Sequence, residues 1–543
     1  MKSIQRYTLH PALLILGLTV ICCIPFLGLT PLFDWDEINF AESAREMLVS
    51  GNYYEVQIHF HPFYEKPPLF FWMQALAMQL MGVNESAARM PNVLAGYLTL
   101  LGLFYIGKWM RDQTLGYLLA LLAASTWLPA LYFRTGIIDP WFNLFILTGI
   151  ALYPIYLFHG RSHYIAWLSG LCIGLAVLTK GPVAILMFAL CIAAFMLSHA
   201  RRFSSRFILH SAIACLLPLL LWYGGITWYK GTAFLEYFVA YQIELFTQPV
   251  AGHQQPWFYH FVVVLLGCFP VSIFWFQAMR SDPVNYKEKD FLRLSLLLFA
   301  AVLIVFSISE TKIVHYSSLA WIPGIVIAGI WLRKAFNIYS NKVWNLFRLA
   351  ILIWGVIIGI GVLAFGIMMP LLKDYGQYIG DRFIKAGLQG NVNWTGYEAL
   401  PGLFLTLGAI LIWAFGKRLI QRGLLVFFAV IALYSTLFLH SVAFCIAPRI
   451  AEITQGPAID FYRAMKDRKV ILKTEGFKSY AHYFYGAVQP ETQEQAQWPI
   501  WMIMRVDRVQ ENTAEQFPHY REAFRKGGFV FFLHMPNLNS ENE

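Results

Sequence analysis

The chain has 543 residues, of which 58% are hydrophobic, 17% aromatic and only 13% charged, with a mean hydropathy of +0.54 and a formal net charge of +10. An ordinary soluble domain carries roughly 25% charged residues, so this composition excludes a soluble globule. The positive charge sits in short Lys and Arg clusters between apolar runs, a membrane-topology pattern that excludes nucleic acid as a partner.

A window of about 19 residues predicts spans over 11–30, 91–110, 114–133, 137–158, 163–179, 182–198, 207–228, 258–278, 292–308, 315–332, 345–370, 401–416 and 422–444. These thirteen runs make the chain an all-α polytopic membrane protein. The first, Leu13 to Leu29, follows Lys2 and Arg6 as a signal peptide would, but no small-x-small cleavage pattern ends it and it is read as a retained span. Between the first two spans, Asn39 to Leu48 and Leu69 to Met81 are amphipathic and are expected along the membrane interface. Further on, Lys180-Gly181-Pro182 turns the chain between two closely spaced spans.

Basic residues at the N-terminus and in alternate short loops, such as Lys108 and Arg111, Arg201 with Arg202 and Arg206, and Lys417 with Arg418 and Arg422, place those loops and the N-terminus in the cytoplasm. An odd span count then puts the C-terminus outside. The outer face receives the long pieces 31–90, 229–257 and 371–400 and the tail from 446. In the tail, Val470–Leu472, Ile500–Met504 and Val530–Leu533 read as strands, and Ile459–Met465 and Ala514–Phe524 as helices. The expected organisation is a membrane domain over 1–445 with an outer loop over 31–90, followed by a small extracytoplasmic α/β domain over 446–543. The seven cysteines lie in or beside apolar runs without ligand spacing and read as small hydrophobes.

Placed on this topology, the polar motifs converge on the outer face: Asp34, Asp36 and Glu37; Tyr64-Glu65-Lys66-Pro67-Pro68; Asp139-Pro140; Thr179-Lys180-Gly181-Pro182; His253; and Glu310-Thr311-Lys312 with Tyr316. Each has an ordinary explanation by itself. Asp36 fits a hydrated helix end, Glu65 and Lys66 a surface ion pair, Asp139 an N-cap, and Lys180 and Lys312 snorkelling span ends. Arg45, Arg89 and Arg134 on the same face are assigned structural roles. Together, however, ionisable groups collected at membrane depth mark a site. Carboxylates, lysines and a histidine suit a phosphorylated substrate: the acids position or deprotonate a nucleophile and the cations hold phosphate.

The order of these motifs resembles the glycosyltransferases of the C-type fold. Within them it is similar to the bacterial branch related to protein O-mannosyltransferases and to the 4-amino-4-deoxy-L-arabinose transferase that modifies lipid A. One departure is Asn39, where the arabinose-transferase pattern carries an Arg three residues after its catalytic Asp. The resemblance implies a multi-pass protein of the bacterial inner membrane with a periplasmic C-terminal domain. It implies transfer of a sugar from a polyprenyl-phosphate donor to a glycolipid such as lipid A, without a nucleotide cofactor, and a direct single displacement at the anomeric carbon predicts inversion. By position, Asp36 and Asp139 match the catalytic acids, and Tyr64, Lys66, Lys180, Lys312 and Tyr316 the donor-phosphate residues. Asp34 and Glu37 fall to acceptor contact or support, and Glu65 with His253 to a divalent metal. Two alternatives stay open: a protein O-glycosyltransferase using the same donor, and a flippase or transporter for lipid-linked sugars. Transporters, though, tend to place their charges near the midplane of repeat-related halves.

Overall fold

The computed structural model describes residues 10–34, 36–198, 203–248, 255–338, 341–372, 375–390, 392–490, 492, 495 and 497–536. Among these, nine helices are long and apolar enough to cross a bilayer: Glu85–Met110, Asp139–Phe158, His163–Lys180, Ser205–Lys230, Tyr286–Ile308, Val314–Phe336, Val343–Leu372, Tyr397–Arg422 and Leu424–Thr454. Three shorter apolar helices, Pro11–Cys23, Gln113–Ser125 and Val183–Leu197, fall where spans are expected. The expected continuous span over 258–278 is instead two helices, Tyr259–Gly267 and Val271–Ala278, bent by 107°. Pro270 sits at the break, where it has no N–H to continue a helical ladder.

Small residues let the bundle close up. A Cβ on Gly402 would fall 2.1 Å from the Leu363 nitrogen, and one on Gly170 would fall 2.0 Å from the Ser211 carbonyl oxygen. Such backbone approach between apolar helices replaces the hydrophobic driving force that lipid does not supply. Span ends are capped where water begins: Asn84 accepts from the Ala87 N–H at 2.9 Å and Asp112 from the Leu115 N–H at 2.8 Å. The turn after His163–Lys180 passes through Gly181 at φ +110°, a conformation a side chain would strain.

The 31–90 segment departs from expectation in one respect. The Asp36–Ser50 helix does not lie on the membrane surface, because Ile38, Phe40, Ala41, Ala44 and Met47 are all buried. The Leu69–Met81 helix keeps one open face, with Leu76 and Leu80 exposed, as an interfacial helix should. A two-stranded hairpin, β1 (Gln57–Ile58) and β2 (His61–Pro62), connects the two.

The tail forms a four-stranded sheet from β3 (Ile471–Glu475), β4 (Ile500–Arg505), β5 (Arg521–Lys526) and β6 (Phe529–His534), in the order β3-β4-β6-β5. The first pair is parallel and the others antiparallel. The expected helix over Ala514–Phe524 is one short turn, Thr513–Gln516, followed by β5. That strand is exposed along its length and charged at Arg521, Glu522, Arg525 and Lys526, the usual protection of a sheet edge, and its polarity carries no strand signature. Phe531, Ile503 and Tyr462 of the tail share one core with Ile38, Ala44, Met78 and Ala87 of the 31–90 segment. The outer loop and the tail therefore pack as one body above the bundle.

Candidate active site

Where that body meets the bundle there is a cavity of about 470 Å³. Asp34, Asp36 and Asn39 of the first outer segment line it together with Lys66, Lys180, Tyr241, His315, Tyr316 and Lys478. Val183, Leu245, Phe246, Phe306 and Ile313 give it an apolar wall on the bundle side.

Asp36 opens the Asp36–Ser50 helix, where a negative charge suits the helix N-terminus. Its side chain is 38% exposed to the cavity, and its Oδ2 lies 3.4 Å from Nε2 of His315. Asp139 sits behind the cavity wall. It is the first residue of its helix and not the N-cap, and its carboxylate turns instead to Lys180, with Oδ1 2.5 Å from Nζ. Ser318 donates to the same oxygen at 3.3 Å, whereas Asp139 Oδ2 is buried with no hydrogen-bond partner among the described residues. Lys180 Nζ also lies 4.9 Å from the Tyr316 ring centroid and 5.4 Å from that of Phe142, so the ammonium is held between a carboxylate and two aromatic faces.

Lys66 and Glu65 line the cavity from the turn before the Leu69–Met81 helix. Burial pushes the Lys66 ammonium below the usual lysine range, and the charges of Glu65 and Asp36 oppose that shift. The Tyr241 hydroxyl donates to Glu65 Oε2 at 2.9 Å, and the Tyr241 ring faces Lys66 Nζ at 5.2 Å.

Several expected site residues serve other ends. Lys312 is buried and donates to the Ser309 carbonyl at 2.6 Å, outside the cavity lining. Tyr64 turns away to donate to Glu55 at 3.2 Å and packs edge-on against Phe234. Glu37 touches the cavity but is spent on structure: Arg89 donates to both its oxygens at 2.8 and 2.9 Å, and the Phe33 and Gly136 N–H groups at 2.8 and 2.6 Å. Asp34 accepts from Ser479 of the tail at 2.8 Å. Arg45 forks onto Glu42 at 2.7 Å, and Arg134 reaches His440 at 3.0 Å, both as supports. His253, the expected metal partner of Glu65, lies outside the described residues, and among those no three His, Cys, Asp or Glu side chains converge on a metal position.

His315, Tyr241, Gln242 and Lys478 are cavity residues that sequence reasoning missed. His315 stood within the motif that supplied Tyr316, flanked by an apolar residue that hid it. Lys478 had no signal at all.

A family model described as dolichyl-phosphate-mannose-protein mannosyltransferase matches residues 65–223, the stretch that carries Lys66, Asp139 and Lys180. The fold is similar to the crystal structure of ArnT from Cupriavidus metallidurans bound to undecaprenyl phosphate, with a TM-score of 0.75 over 96% of this chain and 97% of that one, at 16% identity. The chain therefore has the fold of the polytopic membrane glycosyltransferases of the C type. Within that class it is 24% identical over 385 residues to an undecaprenyl phosphate-alpha-4-amino-4-deoxy-L-arabinose arabinosyl transferase of Pectobacterium carotovorum, covering 68% of this chain and 67% of that protein. It is 27% identical over 299 residues, 54% of each chain, to the protein of that name in Pseudomonas aeruginosa.

Proposed function

We propose that this protein transfers a sugar of the aminoarabinose class from undecaprenyl phosphate to a glycolipid acceptor such as lipid A. The reaction is assigned to the periplasmic face of a bacterial inner membrane, with the N-terminus cytoplasmic. The observation that carries the reading is a single cavity in which an acid–imidazole pair, Asp36 and His315, faces the cations Lys66 and Lys180. The names of the relatives supply the donor class.

In a polyprenyl-phosphate sugar the bond that breaks joins the anomeric carbon to a phosphate oxygen. The departing group is a phosphate monoester with a second pKa of about 6, so it leaves as an anion and needs cations more than a proton donor. Lys66 and Lys180 supply them. Lys180 is fixed in advance by Asp139 at 2.5 Å and by two aromatic faces, so little reorganisation is needed as charge develops on the phosphate. The apolar wall of Val183, Leu245 and Phe246 suits the polyprenyl end.

The acceptor oxygen attacks the anomeric carbon opposite the leaving phosphate, so the centre inverts. If that oxygen is a hydroxyl, Asp36 takes its proton, with His315 holding the carboxylate in line. If it belongs to a phosphate it is already ionised, and Asp36 with His315 orients it. A divalent ion held by Glu65 and His253 would add phosphate neutralisation, and no step above depends on it.

The test is transfer of radiolabelled undecaprenyl-phosphate sugars by the purified protein to membrane lipid and to membrane protein, scored separately, with the product anomer read by NMR. Inverted sugar in the lipid fraction is expected. Label in protein would move the assignment to an O-glycosyltransferase, and donor crossing sealed vesicles without transfer would replace the enzyme with a flippase.

A further inference from the structure

Away from the cavity, the tip of the β1–β2 hairpin is built against the preferences of its own residues. His59 and Phe60 stand in succession in the left-handed region, at φ +55° and +58°, the only consecutive non-glycine pair there among the described residues. A two-residue turn with both φ values positive is normally made by Asn-Gly or Asp-Gly, because a side chain at either position is strained. Glu46 holds this one in place. One of its carboxyl oxygens accepts from the His59 N–H at 2.5 Å and the other from the Phe60 N–H at 2.8 Å. Tyr483 of the tail stacks on the His59 ring at 4.5 Å.

Glu46 lies one helical turn after Glu42, and both are fully buried. Arg45 forks onto the two oxygens of Glu42 at 2.7 Å and also donates to the Val488 carbonyl of the tail at 2.8 Å. Among the described residues no salt bridge reaches Glu46, so one arginine serves two buried carboxyls. Both cannot ionise there without strong repulsion, and burial together with Glu42 keeps a proton on Glu46 up to about pH 8, hydrogen-bonded to Glu42. The other titratable groups on the elements packed around it are His59 and His61 of the hairpin and His482, Tyr483 and Tyr485 of the tail helix Ala481–Gly486. The Leu69–Met81 helix, packed on the same Asp36–Ser50 helix, brings none.

The hairpin carries this clasp to the cavity. Its ladder pairs Ile58 with His61 and Gln57 with Pro62, and the Phe63 N–H then donates to the Val56 carbonyl at 2.8 Å. Phe63 lines the cavity, and Glu65 and Lys66 follow it there. The strand that leaves the clasped tip is therefore the one that delivers Lys66.

We propose that Glu46 is a positioning residue for Lys66 and that its proton works the clasp: the hairpin tip is held while Glu46 shares its proton with Glu42, and released when two carboxylates are left facing one arginine. The effect on transfer rests on the glycosyltransferase reading above, whereas the release of the hairpin does not. Because the clasped state binds the proton more tightly than the open one, closure weakens as pH rises from about 4.5 to about 8 and levels off above that.

The experiment follows the purified full-length protein from about pH 5.5 to about pH 9 by hydrogen exchange at the His59 and Phe60 amides, corrected for intrinsic rates, beside the donor KM in the labelled-sugar assay. Wild-type protection should fall at least about tenfold between about pH 6 and about pH 8. The donor KM should rise about threefold or more over the same interval, as partial loss of a charge-assisted contact implies. Glu46→Gln keeps the shape, accepts from the hairpin and donates to Glu42, so its protection and donor KM should stay flat with pH. Glu46→Ala should be unprotected at every pH. A wild type as flat as Glu46→Gln would overturn the control by the proton, and wild-type protection in Glu46→Ala would overturn the clasp. Protection that falls while the donor KM stays fixed would overturn the link to Lys66. If the wild type moves no label at all, the glycosyltransferase reading fails and the link to transfer with it, while the exchange data still decide the clasp.

Discussion

Asp36 and Glu37 are adjacent in sequence and both acidic, yet they live in opposite electrostatic circumstances. Glu37 is buried and saturated: it accepts from Arg89 twice and from two backbone N–H groups, and Arg89 spends its remaining donors on the carbonyls of Leu27, Thr30 and Pro31. Asp36 is open to the cavity and, among the described residues, has one long ionic contact, 3.4 Å to His315. Behind it, Asp139 leaves a buried oxygen unpartnered among the described residues. A charged group whose every lone pair is used holds the fold; one with capacity to spare awaits a ligand. At this membrane surface the degree of saturation separates anchor from site better than charge or burial does.

The contrast can be broken by exchanging the roles. Asp36→Asn keeps the shape and removes the base, and should lower transfer by about 10²–10⁴-fold in the labelled-donor assay, with the melting temperature held. Arg89→Met does the reverse. It strands the Glu37 carboxylate in a buried site and should destabilise the protein by about 3–5 kcal/mol, read as a loss of thermal stability in detergent. Addition of Glu37→Gln to Arg89→Met should recover part of that loss, because the stranded charge goes.

Two smaller effects sharpen it. His315→Ala should lower kcat by up to about 100-fold with the donor KM little changed, since it releases the Asp36 carboxylate from its alignment without removing a cation. The second concerns Glu46, where burial and the nearby Glu42 carboxyl raise the pKa to about 8, against the opposing pull of the Phe60 and His59 N–H groups. A carboxyl raised in the folded state keeps a proton that the unfolded chain has lost, so stability falls as pH rises from about 4.5 to about 8. Buried His482 titrates the other way. Its pKa is lowered to about 3 by burial and by His59, so it contributes a loss of stability on going below pH 6.5. Of these two groups only Glu46 titrates between pH 6.5 and 8, so over that interval the melting temperature of Glu46→Gln should fall less, or rise more, than that of the wild type.

Much of the membrane architecture was legible because a bilayer imposes length and apolarity on every span, and much of the site because ionisable residues at membrane edges are rare. Asp36, Lys66, Lys180 and Tyr316 were placed on one face that way, and the structure brings all four to the lining of one cavity. The same rule misplaced Lys312 and Tyr64, since spacing locates a residue at the outer face without telling which way its side chain turns. Lys312 reaches back to a carbonyl three residues earlier, and Tyr64 turns to an aromatic cluster that exists only in the folded chain. The Asp36–Ser50 helix looked interfacial because its pattern is amphipathic, but its apolar face is covered by Phe70 and Phe71 of the Leu69–Met81 helix and, at Ile38, Ala41 and Ala44, by the tail, a contact between segments more than 400 residues apart. Lys478 was invisible for the same reason: it reaches the cavity through the docking of the tail on the first outer segment, where Ser479 donates to Asp34 and Tyr483 stacks on His59.

The most direct measurement compares Asp36→Asn with Glu37→Gln, scoring transfer per folded molecule alongside the melting temperature. Asp36→Asn should melt with the wild type and lose transfer by at least about 100-fold, whereas Glu37→Gln should melt lower and its folded fraction should still transfer. A stable, active Asp36→Asn beside a stable, inactive Glu37→Gln would contradict the account and move the reaction centre from Asp36 to its neighbour.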